Sequence, residues 1–382
     1  MKTTIYKYIS NEIWPTFLAS LLVFIFIVLA ARMLNIAEWV INHGVSGLEV
    51  LRMILYLLPN MILFALPATT LMAVFIAFHR LSADNEIQAL KSSGISLYQM
   101  LPPVVVVSLM TLIMAAFLGL VGSPWGSNSF KDLIFQIAQS KADLAIKERV
   151  FCEPFDGVTF YINSFSSREG VMKDVFLVDR RDQALTNTIV AKEGRIFSHA
   201  KSKIITVHFF DGTIFMVDKN LEDVRTIEFN SYDLNIGLQD IMPALSGRKK
   251  APKEMFVGEL IGTIKKEAKG DIEYNETVIE LMERFAIPVA VFLMGIIGMP
   301  LGAQIRSGGR FVGIAVSLLV FLIYYMFLAG VRSIGETGTV SPFVGPWLPN
   351  LFLLLSCLYL LRRAGRERSI HLFDRVFALQ ER

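Results

Sequence analysis

With 382 residues, 53% of them apolar, and a mean hydropathy of +0.52, the chain is too hydrophobic to be a soluble globular protein, yet 19% of its residues are charged. Apolar and charged residues must therefore be segregated along the sequence, and a formal net charge of only +3 gives no basic surplus of the kind a nucleic-acid partner requires. Two cysteines, Cys152 and Cys357, and five scattered histidines exclude a disulfide framework and leave no Cys/His pair at metal spacing, so neither a metal nor another cofactor is expected.

A membrane span takes roughly 20 apolar residues to cross about 30 Å of hydrocarbon. Six segments qualify, near 14–34, 53–78, 98–121, 285–303, 311–330 and 343–361. The first is too long, and too plainly followed by further spans, for a cleaved signal peptide. Lys2 and Lys7 precede span 1, whereas the next connection, "NIAEWVINHGVSGLEV", has neither Lys nor Arg. Positive charge returns with Arg80 and Lys91 between spans 2 and 3, with Arg306 and Arg310 between spans 4 and 5, and with "LRRAGRER" after span 6. By the positive-inside bias both termini are cytoplasmic and the long stretch between spans 3 and 4 is external. Cys152 and Cys357 then lie in different environments, which disfavours a disulfide between them.

The connection between spans 2 and 3, "HRLSADNEIQALKSSGIS" (79–96), reads as a short, separately capped helix over about 83–93. Ser82 or Asp84 offers an N-cap, Asp84 and Glu86 complement the positive helix end and Lys91 the negative one, and Gly94 supplies the left-handed stop. Ala83, Ile87 and Leu90 form one stripe with Glu86 beside it. A bare connection needs only a few residues, so a separate amphipathic helix suggests either a docking surface or a helix lying on the headgroups.

From about 135 to 245 the pattern changes. "GVTFYINSF", "DVFLVD", "KIITVHFFDGTIFMVD" and "VRTIEFNSYDLNI" read as strands, punctuated by turn signals at Asp156-Gly157, Arg168-Glu169-Gly170, Glu193-Gly194 and Asp211-Gly212. The expected fold class is a membrane α-helical protein of six transmembrane helices with an all-β, jelly-roll-like domain inserted between helices 3 and 4; a sandwich or open barrel fits the strand spacing equally. The expected domains are 1–134, 135–250 and 251–382. "MFVGELIGTIKKEAKG" has helical spacing and predicts an amphipathic helix near the outer surface, turning at Gly270-Asp271 into span 4.

Arg32 lies about 18 residues into the outward-running span 1, roughly 27 Å at 1.5 Å per residue, while Arg52 opens span 2, Arg284 opens span 4 and Arg332 follows span 5. All four reach one depth, on the side where positive charge is disfavoured. Snorkelling, or pairing with Glu49 and Glu283, explains any one of them. As a group they suit phosphates at the outer leaflet, because guanidinium binds phosphate bidentately. Pro59, Pro67, Pro102, Pro103, Pro288 and Pro300 lie in spans and allow kinks, and Trp14 and Trp125 sit at span ends as interface anchors.

"ADNEIQALKSSGIS", together with Arg284 and the following "FAIPVAVFLMGIIGMPLG", resembles the LptF/LptG (YjgP/YjgQ) permease family, nearer the LptF branch, and the likeness covers essentially the whole chain. It implies a transmembrane subunit of an ATP-driven ABC transporter that exports lipopolysaccharide from the Gram-negative inner membrane. The implied partners are a related LptG-like permease, LptB-like ATPase subunits and an LptC/LptA-like periplasmic β-jelly-roll bridge. In that family the helix between spans 2 and 3 enters a groove of the ATPase through an acidic residue, a role the resemblance assigns to Glu86. It also places lipopolysaccharide near the outer end of span 1, where Arg32 lies.

The chain itself lacks ATPase or hydrolase motifs: Gly-Lys, obligatory in a Walker A loop, occurs nowhere, and there is no G-x-S-x-G elbow. A rival reading is a non-transporting mechanotransmitter or scaffold driven by a partner ATPase. Secondary transport fits less well, because mid-membrane acidic coupling residues are missing.

Overall fold

The computed structural model describes residues 2–43, 46–141, 149–155, 157–166, 171–180, 185–199, 204–218, 224–237, 250–267, 270–304 and 309–365. Asp156, the Arg168–Gly170 turn, Arg306 and the basic residues beyond 365 lie outside the described residues.

The chain opens with α1 (Lys2–His43), α2 (Gly47–Ala83) and the short α3 (Glu86–Ser92). A 3-10 turn at Leu97–Met100 leads into α4 (Leu101–Phe117), which passes through a π turn at Leu118–Gly122 into α5 (Ser123–Lys141). After the strands come α6 (Val257–Ile264), α7 (Ile272–Gln304), α8 (Gly309–Glu336) and α9 (Leu348–Gly365). Among the described residues five helical stretches are long and apolar enough to cross a membrane: 3–33, 47–83, 97–134, 272–304 and 313–336. The sixth expected segment differs. Residues 345–347 form a 3-10 turn containing Pro346, so α9 starts only at Leu348 and has 18 residues, about 27 Å at 1.5 Å per residue, with Arg362 and Arg363 in its last turn. Pro59 and Pro67 sit inside α2, and Pro288 and Pro300 inside α7, without ending either helix.

Two compact units divide the chain, one of residues 1–34, 54–128 and 252–382, the other of 35–53 and 129–251. In the first, α2 and α7 form the centre. Leu66, Leu71, Phe75 and Phe78 on α2 and Ala290, Met294 and Met299 on α7 are all buried in one cluster. The stretch "GIIGMPLG" explains how closely the two helices approach. A Cβ at Gly298 would stand 2.9 Å from the Leu71 carbonyl oxygen, and one at Gly302 2.4 Å from that of Phe75. Small residues at four-residue spacing let backbones meet where lipid supplies no hydrophobic drive. At the far side, the Asn350 amide of α9 donates to the Ala286 carbonyl of α7 at 2.7 Å.

The second unit holds a six-stranded antiparallel sheet: β1 (Cys152–Phe155), β2 (Val158–Ser166), β3 (Val171–Asp179), β4 (Leu185–His199), β5 (Ile204–Asp218) and β6 (Val224–Gly237), paired strictly in chain order. Among the described residues this is a meander, without the Greek-key crossings that define a jelly roll. The turns expected at Glu193-Gly194 and Asp211-Gly212 also differ, because both lie inside unbroken strands. Between β2 and β6 each ladder skips one pair along a single row, Asn163, Asp174, Lys192, Asp211 and Asn230, while keeping register on both sides. Asp174 (φ 51°) and Asp211 (φ 48°) take left-handed backbone there, a conformation short polar side chains tolerate. Across the row the buried face changes parity, from Ile189 and Ala191 to Gly194 on β4 and from Ile214 to Phe209 and Val207 on β5. The sheet thus bends along the row and packs its one apolar face, Phe160, Leu177, Ile189, Phe209 and Leu234 included, into a single cluster.

Candidate functional site

The connection between α2 and α7's neighbour α4 carries the first site. Its helix is shorter than its sequence predicts: Ala83 is the last residue of α2, Asp84 lies in the turn 2.9 Å below the Arg80 carbonyl oxygen, and Asn85, left-handed at φ 58°, precedes the first helical residue, Glu86. The two expected caps are otherwise engaged. Ser82 donates its hydroxyl to the Ala303 carbonyl near the end of α7 at 3.1 Å, and Asp84 lies 3.7 Å from Arg80. The stop is as expected. Gly94 is at φ 83°, its N–H bonds the Lys91 carbonyl at 2.9 Å, and Ile95 N–H bonds that of Leu90 at 3.0 Å, which is the Schellman pattern. Leu90 and Ile95 pack on the main core and Ile87 is buried, so α3 is pinned on its apolar side. Ala83 and Asp84 are exposed and Glu86 half-buried.

Glu86 is held from α1. The Tyr8 hydroxyl donates to both carboxylate oxygens, at 2.9 and 3.1 Å. One turn further along α1, Glu12 pairs with Arg80 at 2.6 Å. Neither Tyr8 nor Glu12 stands out in the sequence, because a partner some 70 residues away leaves no periodic trace.

The second site is a cavity of about 340 Å³ in the membrane unit. Apolar Leu63, Phe64, Ile287 and Leu328 line it together with charged Lys253, Glu280, Glu283, Arg284 and Arg332. With Glu336, which pairs with Arg332, the cluster sets Lys253, Arg284 and Arg332 against Glu280, Glu283 and Glu336, and its formal charges balance when all are ionised. Arg332 bonds Glu283 at 2.7 Å and Glu336 at 3.0 Å, and lies 3.6 Å from Glu280. Arg284 is only 5% exposed; it donates to the Pro252 and Lys253 carbonyls at 3.1 and 3.3 Å and lies 3.6 Å from Glu280, while its Nη1 has no hydrogen-bond partner among the described residues. The Glu280–Arg284 and Arg332–Glu336 pairs are each four residues apart on one helix, a spacing legible in the sequence. Of the four arginines singled out there, the structure brings together Arg284 and Arg332. Arg32, at the end of the apolar stretch of α1, and Arg52, near the start of α2, are exposed and do not line the cavity.

The lipopolysaccharide export system permease LptF/LptG family matches residues 7–363. The chain belongs to this family. LptF, the lipopolysaccharide export system permease protein of Escherichia coli (strain K12), is 22% identical over 360 residues, which cover 93% of this chain and 94% of that one. The Shigella flexneri LptF gives the same figures. An uncharacterized protein of Rickettsia prowazekii (strain Madrid E) is 22% identical over 266 residues, 67% of this chain and 72% of its own. This LptF/LptG permease is thus a lipopolysaccharide export component, and its apolar helices and family point to a multi-pass protein of the inner membrane.

Proposed function

We propose that this chain is the transmembrane subunit of an ATP-driven ABC transporter that extracts lipopolysaccharide from the outer leaflet of the inner membrane. It pairs with an LptG-like permease, is driven by LptB-like ATPase subunits, and delivers the lipid to an LptC/LptA-like β-jelly-roll bridge. Both termini are cytoplasmic and the β-domain periplasmic. The observation that carries this reading is the cavity lined by both apolar and charged side chains, because lipopolysaccharide joins acyl chains to phosphorylated sugars. The Nη1 of Arg284, without a partner among the described residues, offers an anion a charged donor. Arg32 and Arg52 offer exposed guanidinium groups for phosphates before the lipid enters. Arg332 already has carboxylate partners, so a phosphate reaching it must displace Glu283.

On the cytoplasmic side α3 is the ATPase-coupling helix. Exposed Ala83 and Asp84 lead into it, Glu86 opens it, Ile87 and Leu90 are its anchor, and Gly94 its stop. A short helix pinned to the core passes on a push as a rigid body.

A photoreactive amino acid in place of Phe64, in membranes holding the whole exporter, tests the reading. Ultraviolet light should yield a lipopolysaccharide adduct whose amount changes when ATP is added, and Arg284→Ala should reduce it about tenfold or more, the loss of a charge-assisted bond. No adduct at normal protein abundance would remove the cavity from the transport path and favour the mechanotransmitter.

A further inference from the structure

The hydroxyl of Tyr8 sits astride the Glu86 carboxylate, within hydrogen-bond distance of both oxygens. That is the position a guanidinium fork takes when it binds a carboxylate bidentately, two parallel N–H bonds along the same bisector. A carboxylate with its open edge occupied in this way cannot receive such a fork until the hydroxyl leaves. Glu86 is half-buried at the first position of α3 and Tyr8 is itself 42% exposed, so the bond is within reach of an incoming protein.

We infer that Tyr8 is an intramolecular latch on Glu86, a positioning residue that competes with the basic group of the ATPase for the same carboxylate edge. The inference rests on the reading of α3 as the ATPase-coupling helix. The partner wins the competition because hydrogen bonds between two ionised groups are roughly twice as strong as those from a neutral donor. Its arrival therefore unfastens α1 from α3 at Tyr8, while the Glu12–Arg80 ion pair still ties α1 to α2. Below the membrane centre α1 stays held by Ile9, Ile13 and Phe17, all buried, so the loss of one bond loosens the end of the helix without detaching it. Docking at α3 is thereby felt by span 1 through a named bond.

The test uses the full chain with its partner permease in lipid nanodiscs and purified ATPase subunit as the probe, with binding measured by titration. Tyr8→Phe removes only the hydroxyl from a half-exposed ring, so the fold is retained. It should tighten ATPase binding about threefold to tenfold, the net worth of one hydrogen bond, and the gain should vanish in a Glu86→Ala background. A merely structural tyrosine would leave binding unchanged or weaken it, and either result overturns the latch. Glu86→Ala alone separates the two readings. If it weakens binding while Tyr8→Phe does not tighten it, the coupling helix stands and the latch falls; if Glu86→Ala binds like the native chain, both fall.

Discussion

α2 and α7 on one hand and α1 on the other are all apolar helices longer than a bilayer is thick, yet they are packed in opposite ways. The glycine-lined approach of α7 to α2 leaves Leu66, Phe75, Ala290 and Met294 fully buried. Midway along α1, Leu22 and Phe26 are 69% and 68% exposed. The tie of that stretch to its neighbours is aromatic, Phe24 against Phe64 and Phe321 with ring centroids 6.1 and 5.6 Å apart. Apolar composition therefore says that a helix belongs in the membrane, while small residues at helical spacing say which helices touch. α2 and α7 make a tightly packed frame, whereas over residues 2–33 α1 is buried near its start, at Ile9, Ile13 and Phe17, and then shows large exposed apolar side chains.

Substitutions graded along that contrast should separate the two kinds of helix. Gly302→Leu ought to be the most damaging, because even its Cβ would collide with the Phe75 carbonyl. We expect a loss of about 3 kcal/mol or more, seen as failure to accumulate in the membrane, and a normally abundant variant would show that the two helices do not meet there. Phe24→Leu should cost about 1 kcal/mol, the worth of an aromatic pair beyond its buried area, read as a lower midpoint of thermal unfolding in detergent; an unchanged midpoint would show that this aromatic contact does not fasten α1. Leu22→Ala should shift that midpoint least, by less than about 0.5 kcal/mol. A large loss there would mean that this face of α1 is covered within the native assembly.

Much of this frame is legible in the sequence, for identifiable reasons. Long apolar runs mark the spans, and alternation marks strands, because both are periodic and local. The end of α3 at Gly94 is legible because a left-handed stop has one favoured residue. Its beginning is not: Ser82 and Asp84 look like caps, but Ser82 is taken by a carbonyl of α7, more than 200 residues away. The bend in the sheet misleads in the same manner. Asp211-Gly212 has the composition of a turn, yet the chain uses its left-handed backbone to fold a sheet across five strands at once. The arginines divide along the same line. Glu280 and Glu336 are four residues from their partners and visible beforehand, whereas the convergence of Arg284 and Arg332 on one cavity depends on α7 packing beside α8.

The strict neighbour order of the strands has a bearing on how the molecule is assembled as it is made. Every pairing in the sheet joins a strand to the next one in the chain, so the sheet has low contact order and closes by local zipping. The frame of α2 and α7 is the opposite case, since the carbonyls of Leu71 and Phe75 wait for Gly298 and Gly302, which are synthesised after the whole sheet. The inserted domain can thus close while α2 has only the earlier helices beside it and still lacks α7, whose glycines its carbonyls later meet.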